Sequence, residues 1–435
     1  MKRVNVGICG LGTVGGGTFN VLTRNSSSIN ARAGCEINIT HIGARRENPN
    51  CNTGDIKVSA DIFDVAEDPN VHILVELIGG TTIAKELVER ALQNKKHVVT
   101  ANKALIAEYG NELFRIAELN NVSISYEAAV AGGIPIIGAL REGLAANSVE
   151  WLAGIINGTG NFILTEMRDK GRDFNDVLKE AQDLGYAEAD PTFDVEGIDA
   201  AHKLVILSSI AFGMPLQFDK VFTEGISAIS PEDVSYADEL GYSIKHLGIT
   251  RRRENNTIEL RVHPTLIPKS RLIANVDGVM NAVLVKGDAV GPTLYYGAGA
   301  GSEATASAVI ADIVRVSRTT GVKNDVSVSH LGFEADSLKN LNVLPIEETE
   351  TAYYLRISAL DKPGVLSRVT QILSDAGISI EALIQKEPND GQDHVPVILL
   401  TNRAIEKDII SAIKSIEALD SVEGKIVRIR VEALK

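Results

Sequence analysis

A lysine behind a series of acidic residues is the first feature of this sequence with the chemistry of a catalytic site. In GYAEADPTFDVEGIDAAHKL, residues 185–204, five carboxylates precede Lys203, and the apolar run LVILSSIAF follows it. If residues 196–213 are helical, Glu196, Asp199 and Lys203 share one face at the edge of a core. Lysine there can donate or accept a proton, and carboxylates can bind an ammonium group. A salt bridge between Asp199 and Lys203 explains the spacing equally well.

A glycine-rich turn near the N-terminus has the spacing of a dinucleotide-binding motif. The segment VNVGIC predicts a strand, and GLGTVG follows it and opens a predicted helix. The first glycine permits a tight turn, the second lets a pyrophosphate approach the backbone, and the third allows close packing of helix on strand. N–H groups at the helix N-terminus can then bind phosphate oxygens. The predicted cofactor-binding residues of this turn are Gly10, Leu11, Gly12, Thr13, Val14 and Gly15.

The end of the second predicted strand indicates which dinucleotide is preferred. An acidic residue at this point usually binds the ribose 2′-hydroxyl of NAD, whereas an arginine suits the 2′-phosphate of NADP. The strand INITHIGA ends in Arg45 and Arg46, with no acidic residue before Glu47. We therefore expect NADP(H) to be preferred, with NAD(H) as the alternative.

Other polar or glycine-rich loops permit a functional and a purely structural interpretation. Lys103, in TANK, follows the strand HVV and can contact cofactor or substrate at the carboxyl edge of the sheet, or lie in solvent. Glu127 precedes the small-residue turn AAVAGGIP, where carboxylate and carbonyl oxygens can bind a hard cation. From the residues alone, a carboxylate that caps a following helix is the favoured interpretation. The run GAGAG, residues 297–301, permits close backbone approach or forms a hinge.

Alternating strand and helix patterns predict an α/β protein of several domains. Residues 1–131 predict a Rossmann doubly wound domain, joined by a returning helix at about 303–320. Residues 132–302 predict an α+β domain, and residues 321–350 a linker. The order βαββαβ in residues 351–435 predicts a ferredoxin-like sandwich.

Composition excludes several classes of protein. The net charge of −14 argues against general binding to nucleic acid or anionic membranes. Three cysteines without metal-site or disulfide spacing fit a reducing compartment. The N-terminal apolar stretch is too short for a signal peptide, and no apolar run reaches the length of a membrane span. We therefore expect a cytoplasmic protein.

Taken together, the motifs resemble those of homoserine dehydrogenase. The similarity covers residues 1–325, through GLGTVGGG, VELIGG, TANKALIAEYG, YEAAVAGGIPII, GIINGTGNFILT, GYAEADPTFDVEGIDAAHKL and YYGAGAG. The C-terminal segment LDKPGVLSRVTQILSDAGISIEALIQKE resembles an ACT domain, a module that senses amino acids. The resemblance implies NAD(P)-dependent, reversible reduction of L-aspartate 4-semialdehyde to L-homoserine, in threonine, methionine and isoleucine biosynthesis.

The resemblance also implies that residues 132–302 form a substrate-binding and oligomerisation domain, and it implies a role for individual residues. Lys203 and Lys103 match catalytic lysines, and Glu188 and Asp199 match groups that bind the substrate's ammonium. Further cofactor contacts are implied at Lys103, Gly185, Glu188, Gly299 and Gly301. A sodium site is implied at Glu127, Val130, Gly132 and Ile134.

The ACT resemblance implies feedback regulation by an amino acid, with threonine expected, and a homo-oligomer that is a dimer or a tetramer.

Two alternative functions remain open at this point. One is a different NAD(P)-linked dehydrogenase acting on a small amino-acid aldehyde or imine. The other is an ACT-bearing sensor that binds a nucleotide without turnover.

Overall fold

The computed structural model describes residues 2–320, 328–386 and 393–435. It divides into two compact units, described separately below. The first unit contains Met1–Gly158, Asp199–Val221 and Val279–Leu341. The second unit contains Thr159–Ile198, Phe222–Gly278 and Asn342–Lys435. Part of the predicted linker, residues 321–327, lies outside the described residues.

The strands and helices follow one another along the chain with short 3-10 turns between several of them. The strands are β1 Arg3–Cys9, β2 Glu36–Gly43, β3 Lys57–Ser59, β4 Ile73–Glu76, β5 His97–Thr100, β6 Ile124–Ser125, β7 Val149–Ile155, β8 Phe222–Thr223, β9 Tyr242–Arg252, β10 Thr257–Pro268, β11 Met280–Gly287, β12 Gly291–Ala298, β13 Asn342–Val343, β14 Glu350–Leu360, β15 Ile380–Gln385, β16 His394–Thr401, β17 Ala404–Ile405 and β18 Val422–Val431. The helices are α1 Thr13–Arg24, α2 Ser26–Ala33, α3 Phe63–Glu67, α4 Thr82–Gln93, α5 Lys103–Leu119, α6 Ile136–Gly138, α7 Gly158–Lys170, α8 Phe174–Asp183, α9 Thr192–Val195, α10 Ile198–Phe212, α11 Pro231–Glu239, α12 Ser302–Thr319, α13 Val365–Asp375 and α14 Glu406–Glu417.

A six-stranded parallel sheet forms the core of the first unit and confirms the predicted Rossmann fold. Its strand order is β3-β2-β1-β4-β5-β6, that of a doubly wound dinucleotide-binding domain. Val4, Val6 and Ile8 on β1 are fully buried, as expected for a parallel strand covered by helices on both faces. This order brings the carboxyl ends of β1, β4 and β5 side by side, where ligands bind in such sheets.

The first unit contains two further parts in addition to this sheet. Strands β7, β11 and β12 pair in antiparallel fashion. Helix α12 packs on α1, and the hydroxyl of Ser302 donates a hydrogen bond of 2.7 Å to the carbonyl of Thr13. A side chain at Gly17 would come within 2.6 Å of the Ser302 backbone, so a glycine is needed for this close packing.

The C-terminal part of the second unit is the predicted ferredoxin-like sandwich. Its sheet has the order β18-β14-β16-β15 with antiparallel pairs, and α13 and α14 cover one face. Strand β18 also pairs in parallel with β10, which joins this sheet to the β9–β10 hairpin. The predicted order βαββαβ is confirmed, with the two-residue β17 added before α14.

Fully buried ion pairs reinforce the join between β18 and its neighbours in the second unit. The Arg430 guanidinium binds the Glu406 carboxylate at 2.6 Å, and Arg261 pairs with Glu432 and Glu259. On the face of the ferredoxin-like sheet that α13 and α14 do not cover, Arg356 binds Asp233 of α11 at 2.6 Å. Removing one member of such a buried pair destabilises the protein, because the other member is left as an uncompensated charge.

The helix predicted for residues 196–213 begins at Ile198 instead, so one prediction about its face is wrong. Gly197 has a φ of 84°, a left-handed conformation that separates α9 from α10. Glu196 therefore lies outside the helix, and its carboxylate accepts a hydrogen bond of 2.9 Å from the hydroxyl of Ser227. Only Asp199 and Lys203 share the predicted helical face.

Candidate active site

A buried carboxylate held by two lysines lies at the centre of the candidate site in the first unit. One Asp199 oxygen accepts a hydrogen bond of 2.7 Å from the Lys203 ammonium, and the other lies 3.2 Å from the Lys103 nitrogen. The side-chain amide of Asn157 donates to the same oxygen as Lys203, at 2.8 Å. Lys203 also donates to the carbonyl of Ile156 at 2.7 Å. The sequence predictions for Lys103, Asp199 and Lys203 thus meet in one cluster.

Three elements bring these side chains together. Asp199 and Lys203 are separated by one turn at the start of α10, so their side chains lie one above the other. Lys103 is the first residue of α5, and Asn102 caps this helix by accepting a hydrogen bond from the N–H of Leu105. The loop after β7 supplies the Ile156 carbonyl and the Asn157 amide. The salt bridge between Asp199 and Lys203 is present, at 2.7 Å. The role of Lys203 in proton transfer stays a prediction.

The electrostatics of the cluster keep Asp199 ionised. Burial by itself raises the pKa of this carboxyl, but the charges of Lys203 and Lys103 and the hydrogen bonds from Lys203 and Asn157 lower it to about 2. Lys203 is largely buried, whereas about a third of the Lys103 side chain is exposed. The cluster is therefore an ionised carboxylate between two ammonium groups, with Lys103 nearer to solvent.

The glycine-rich turn lies at the wall of a cavity of about 780 Å³ in the first unit. Gly10 has a φ of 99°, and a side chain there would lie 2.7 Å from the Leu77 carbonyl oxygen. A side chain at Gly15 would collide with the Gly10 carbonyl, while the space beside Gly12 is open within 4 Å. Gly12 is the N-cap residue of α1, which therefore presents its first N–H groups without a capping side chain. These features fit a bound dinucleotide.

Arg45 and Arg46 line the same cavity, and both are exposed. A residue that sequence reasoning missed joins their loop to the glycine-rich turn. The side-chain amide of Asn48 donates a hydrogen bond of 2.8 Å to the Leu11 carbonyl. An asparagine three residues after an arginine gives no recognisable sequence signal, because its partner is distant along the chain.

Glu127 makes the helix-capping contacts that were weighed against a cation site. Its carboxylate accepts hydrogen bonds of 2.8 Å from the N–H groups of Ile137 and Gly138, at the short helix α6. Each oxygen accepts one of these bonds, so lone pairs remain for a cation. Burial raises the pKa of Glu127, opposed by these N–H groups and by two nearby arginines. No group of three or more His, Cys, Asp or Glu side chains suited to a metal occurs in the described residues.

The other residues of the predicted cation site form the turn that follows Glu127. Val130 and Ile134 are buried, and Gly132 has a φ of 44°. A side chain at Gly132 would come within 2.5 Å of the Gly299 carbonyl oxygen. Carboxylate and carbonyl oxygens are the donors that a hard cation prefers, so this set fits such an ion.

The remaining predicted site residues are loop residues. Glu188 and Gly185 lie in the second unit between α8 and α9, where both are exposed and Gly185 has a φ of 74°. In the first unit, Gly301 is the N-cap residue of α12 with a φ of 116°. A side chain at Gly299 would collide with the buried Asn281 side chain. The glycines are thus required by backbone conformation or close packing at these points.

No helix in the described part of the chain is long and apolar enough to cross a membrane. The described structure instead combines a Rossmann sheet, a glycine-rich turn, a carboxylate–dilysine cluster and a C-terminal ACT-type sandwich. These features define an NAD(P)-dependent oxidoreductase with a C-terminal ACT domain.

Family models identify the group of oxidoreductases. The NAD-binding domain of homoserine dehydrogenase matches residues 10–127, homoserine dehydrogenase itself matches residues 135–314, and the ACT domain matches residues 353–418. The homoserine dehydrogenase of Pseudomonas aeruginosa is 64% identical over 434 residues, covering the whole of both chains. That of Neisseria gonorrhoeae is 55% identical over 438 residues, again over both full lengths. The chain belongs to the homoserine dehydrogenase family.

Solved structures agree with this assignment. A homoserine dehydrogenase from Thiobacillus denitrificans superposes with a TM-score of 0.95 at 60% identity, covering 100% of this chain and 99% of that one. A hyperthermophilic archaeal homoserine dehydrogenase in complex with NADPH superposes with a TM-score of 0.61 at 28% identity, over 72% of this chain and 97% of that one. The predicted fold class and the predicted family are confirmed.

Proposed function

We propose that the enzyme catalyses the reversible reduction of L-aspartate 4-semialdehyde to L-homoserine. The observation that carries the proposal is Asp199 between the ammonium groups of Lys103 and Lys203, in the same unit as the glycine-rich turn. This cluster offers a proton donor and fixed charges of both signs, which a zwitterionic aldehyde requires. The family assignment supports the same reaction.

Lys203 is the proposed proton donor. Reduction of the aldehyde produces an alkoxide, and the bound nicotinamide supplies the hydride. An ammonium group beside the carbonyl oxygen stabilises the developing negative charge and can deliver the proton. The hydrogen bonds from Lys203 to Asp199 and to the Ile156 carbonyl fix its nitrogen before the substrate arrives. Lys103, the more exposed of the two, adds a second positive charge to the site.

Glu188 and Asp199 are the proposed partners of the substrate's ammonium group. Asp199 stays ionised because its pKa lies at about 2, so it can attract a cation throughout the physiological range. Asp199 also binds both lysines, which gives it a second role in holding them. Replacement of Glu188 by Gln should raise the Michaelis constant for homoserine with a smaller change in turnover, and the reverse pattern would contradict a binding role.

A direct assay tests the reaction. The purified chain should reduce NADP when homoserine is added, and should oxidise NADPH when aspartate semialdehyde is added. A sensor that binds nucleotide without turnover gives neither signal. A dehydrogenase for another amino-acid aldehyde gives turnover only with a different substrate, so the same assay separates both alternatives from the proposal.

We propose that NADPH is preferred over NADH. Arg45 and Arg46 are exposed at the cavity that contains the glycine-rich turn, where guanidinium groups can bind a 2′-phosphate. Residues Gly10 to Gly15, with Gly185, Gly299, Gly301, Lys103 and Glu188, are the other proposed cofactor contacts. Replacing either arginine by Ala should raise the Michaelis constant for NADPH far more than that for NADH. Equal changes would contradict the assignment.

We also propose a sodium ion bound by Glu127 and the backbone of Val130, Gly132 and Ile134. Bound there, the ion would supply a positive charge that orders this turn. Replacing Glu127 by Gln, which keeps one carbonyl oxygen but removes the charge, should weaken the dependence of thermal stability on sodium. Titration with sodium at constant ionic strength, using choline chloride as the balancing salt, measures this directly. An unchanged sodium response in the variant would exclude Glu127 as a ligand.

The ACT domain is the proposed site of feedback regulation by an amino acid, threonine by preference. The enzyme would then act in threonine, methionine and isoleucine biosynthesis in the cytoplasm, as a dimer or tetramer. Titration of threonine, isoleucine and methionine into the assay identifies the effector. Sedimentation with and without that effector gives the oligomeric state. The predicted domain boundaries at residues 131, 302, 320 and 350 stay proposals, and limited proteolysis tests them.

A further inference from the structure

A completely buried glutamate lies at the carboxyl edge of the Rossmann sheet, and the proposed mechanism does not use it. Glu76 is the last residue of β4, with no exposed surface. One of its oxygens accepts hydrogen bonds from the N–H groups of Ile78 and Gly79, at 2.9 and 3.1 Å. The other accepts a hydrogen bond of 2.6 Å from the hydroxyl of Thr100. All three donors are neutral, although burying a carboxylate without a cation is unfavourable.

The hydroxyl of Thr100 connects Glu76 to the start of α5 by two hydrogen bonds. Thr100 lies opposite Glu76 in the register between β4 and β5, and its oxygen accepts a hydrogen bond of 2.9 Å from the Asn102 N–H. Asn102 caps α5 through its side-chain oxygen, and its side-chain amide nitrogen donates a hydrogen bond of 2.6 Å to the Gly80 carbonyl. The next residue is Lys103. Two hydrogen bonds, through the Thr100 hydroxyl and the Asn102 N–H, therefore connect Glu76 to the residue that precedes a lysine of the candidate active site.

The other side of Glu76 fixes a loop of the cofactor cavity. Leu77, Ile78 and Gly79 line that cavity, and both Gly79 and Gly80 have a φ of 72°, so this loop is a defined left-handed turn. The Leu77 carbonyl lies close behind Gly10, where it leaves no room for a side chain. A shift of this loop would therefore alter the glycine-rich turn as well.

We propose that Glu76, acting through Thr100 and Asn102, is a positioning residue that fixes Lys103 and the 77–80 loop of the cofactor cavity in one register. The inference rests on the proposed function for its effect on turnover, but its effect on cofactor binding is independent of the reaction. A carboxylate suits this position because it accepts from three donors at once. An amide would turn an N–H group towards the Thr100 hydroxyl and reverse the direction of that hydrogen bond.

The variants Thr100→Val and Thr100→Ser form the central comparison. Val preserves the shape but removes the hydroxyl, so Glu76 loses one of its three donors and the Asn102 N–H loses its acceptor. We expect turnover with homoserine to fall by about 10-fold or more, since small displacements of a charged group in the site have large effects. Ser keeps the hydroxyl and should retain most of the turnover.

Thr351→Val provides a matched control for the loss of a buried threonine hydrogen bond. Thr351 lies at the start of β14 in the second unit. Its hydroxyl donates a hydrogen bond of 2.7 Å to the carbonyl of Val431, the last residue of β18. This variant should lower the melting temperature to a similar extent as Thr100→Val but leave turnover unchanged in the absence of effector. If the two variants behave alike in both measurements, Glu76 has only a structural role.

A double-mutant cycle with Lys103→Ala tests whether the effect passes through Lys103. If Glu76 acts by fixing Lys103, the addition of Thr100→Val to Lys103→Ala should lower turnover by less than 2-fold. Multiplied losses would overturn this route, because residues that act as a unit are not additive. Glu76→Gln should reproduce the pattern of Thr100→Val if it folds, and Thr100→Val decides the matter if it does not.

A measurement of the dissociation constant of NADPH, from the change in NADPH fluorescence on binding, distinguishes the failure of this inference from the failure of the proposed reaction. Thr100→Val should raise it by several fold, and Thr100→Ser should leave it near the wild-type value. If the wild type shows no homoserine-dependent turnover, the proposed reaction fails while this measurement still tests the role of Glu76. Unchanged NADPH binding together with unchanged turnover in Thr100→Val would overturn the inference.

Discussion

Two aspartates of the first unit, Asp199 on α10 and Asp312 on α12, are equally buried but have opposite pKa shifts. Burial raises the pKa of each carboxyl. At Asp199 the charges of Lys203 and Lys103 outweigh burial, and the pKa falls to about 2. At Asp312 burial prevails over the charge of Arg315, Glu127 adds a like charge, and the pKa rises to about 7. Fixed neighbouring charges therefore decide which state each aspartate adopts.

The difference reflects the balance of charges in the two clusters. Asp199 has two lysines to itself. Arg315, in contrast, is shared: it binds Asp312 at 2.6 Å, lies 3.3 Å from Glu142 and 3.9 Å from Glu127. A cluster short of positive charge can accept either a proton or a cation. This is the physical argument that supports the proposed sodium ion at Glu127.

Replacing Lys203 by Ala should give the largest effect. The proposed proton donor is lost, so turnover should fall by about three orders of magnitude or more, while the dissociation constant of NADPH stays within about 2-fold. Steady-state kinetics and NADPH fluorescence measure the two quantities. Lys179→Ala removes an exposed lysine of α8 and should change neither. Near-normal turnover in Lys203→Ala would remove Lys203 from the mechanism.

Asp199→Asn should have the next largest effect. The amide keeps the shape but removes the negative charge, so Lys103 and Lys203 repel each other and lose their common acceptor. We expect turnover to fall by about 100-fold. The variant should still fold, so its melting temperature should remain measurable. Circular dichroism melting and kinetics on the same preparation separate the two contributions. Full turnover in Asp199→Asn would show that charge at this position is dispensable.

The lysine cluster could be predicted in part because its signal is local. Asp199 and Lys203 are four residues apart on one helix, and the family motif around them is long. Lys103 comes from a distant strand end, but parallel sheets bring such ends to one edge. Glu196 was misassigned because the positive φ of Gly197 cannot be read from helical spacing.

The Asp312 cluster could not be predicted at all. Asp312 has the ordinary appearance of an acidic residue on an amphipathic helix, and its contact with the N–H of Glu127 spans 185 positions in the sequence. Glu76 has a clearer signal in the sequence, because a single acid inside the apolar run VHILVELI must find partners when the strand is buried. The partners, however, depend on the register of β4 with β5.

Asp312→Asn should change how stability depends on pH. Because the folded pKa of Asp312 is raised to about 7 from 3.8, its contribution to stability is complete below about pH 4 and is lost as the pH rises to 7. Asn has no such titration. The free energy of unfolding of the wild type, relative to the variant, should therefore decrease between pH 4.5 and 7.5, by an amount on the order of a few kcal/mol.

Urea unfolding of both proteins at these two pH values, in sodium-free buffer, measures the difference. Saturating sodium should reduce the decrease if the ion binds at Glu127, since the added positive charge favours the ionised carboxylate. A difference between the two proteins that is independent of pH would show that Asp312 is ionised throughout, and that the contrast with Asp199 does not exist.

Glu142→Gln should have the smallest effect and sharpens the comparison further. Glu142 is about two-fifths exposed, and its carboxylate competes with Asp312 and Glu127 for Arg315. Its neutralisation leaves more of the Arg315 charge to Asp312, so the pKa of Asp312 should fall and the loss of stability should be complete at a lower pH. Stability at pH 7.5 should change by less than about 1 kcal/mol, as for other exposed ion pairs.

Glu150→Gln is the matched control for this last variant. Glu150 is similarly exposed and pairs with Lys286 at 3.1 Å across β7 and β11. It should leave the pH dependence of unfolding unchanged. If the loss of stability in Glu142→Gln is instead complete at a higher pH, then Glu142 holds the Arg315 guanidinium close to Asp312 and does not compete with Asp312 for it. The balance of charge around Asp312 would then depend on the position of Arg315 more than on the number of carboxylates that share it.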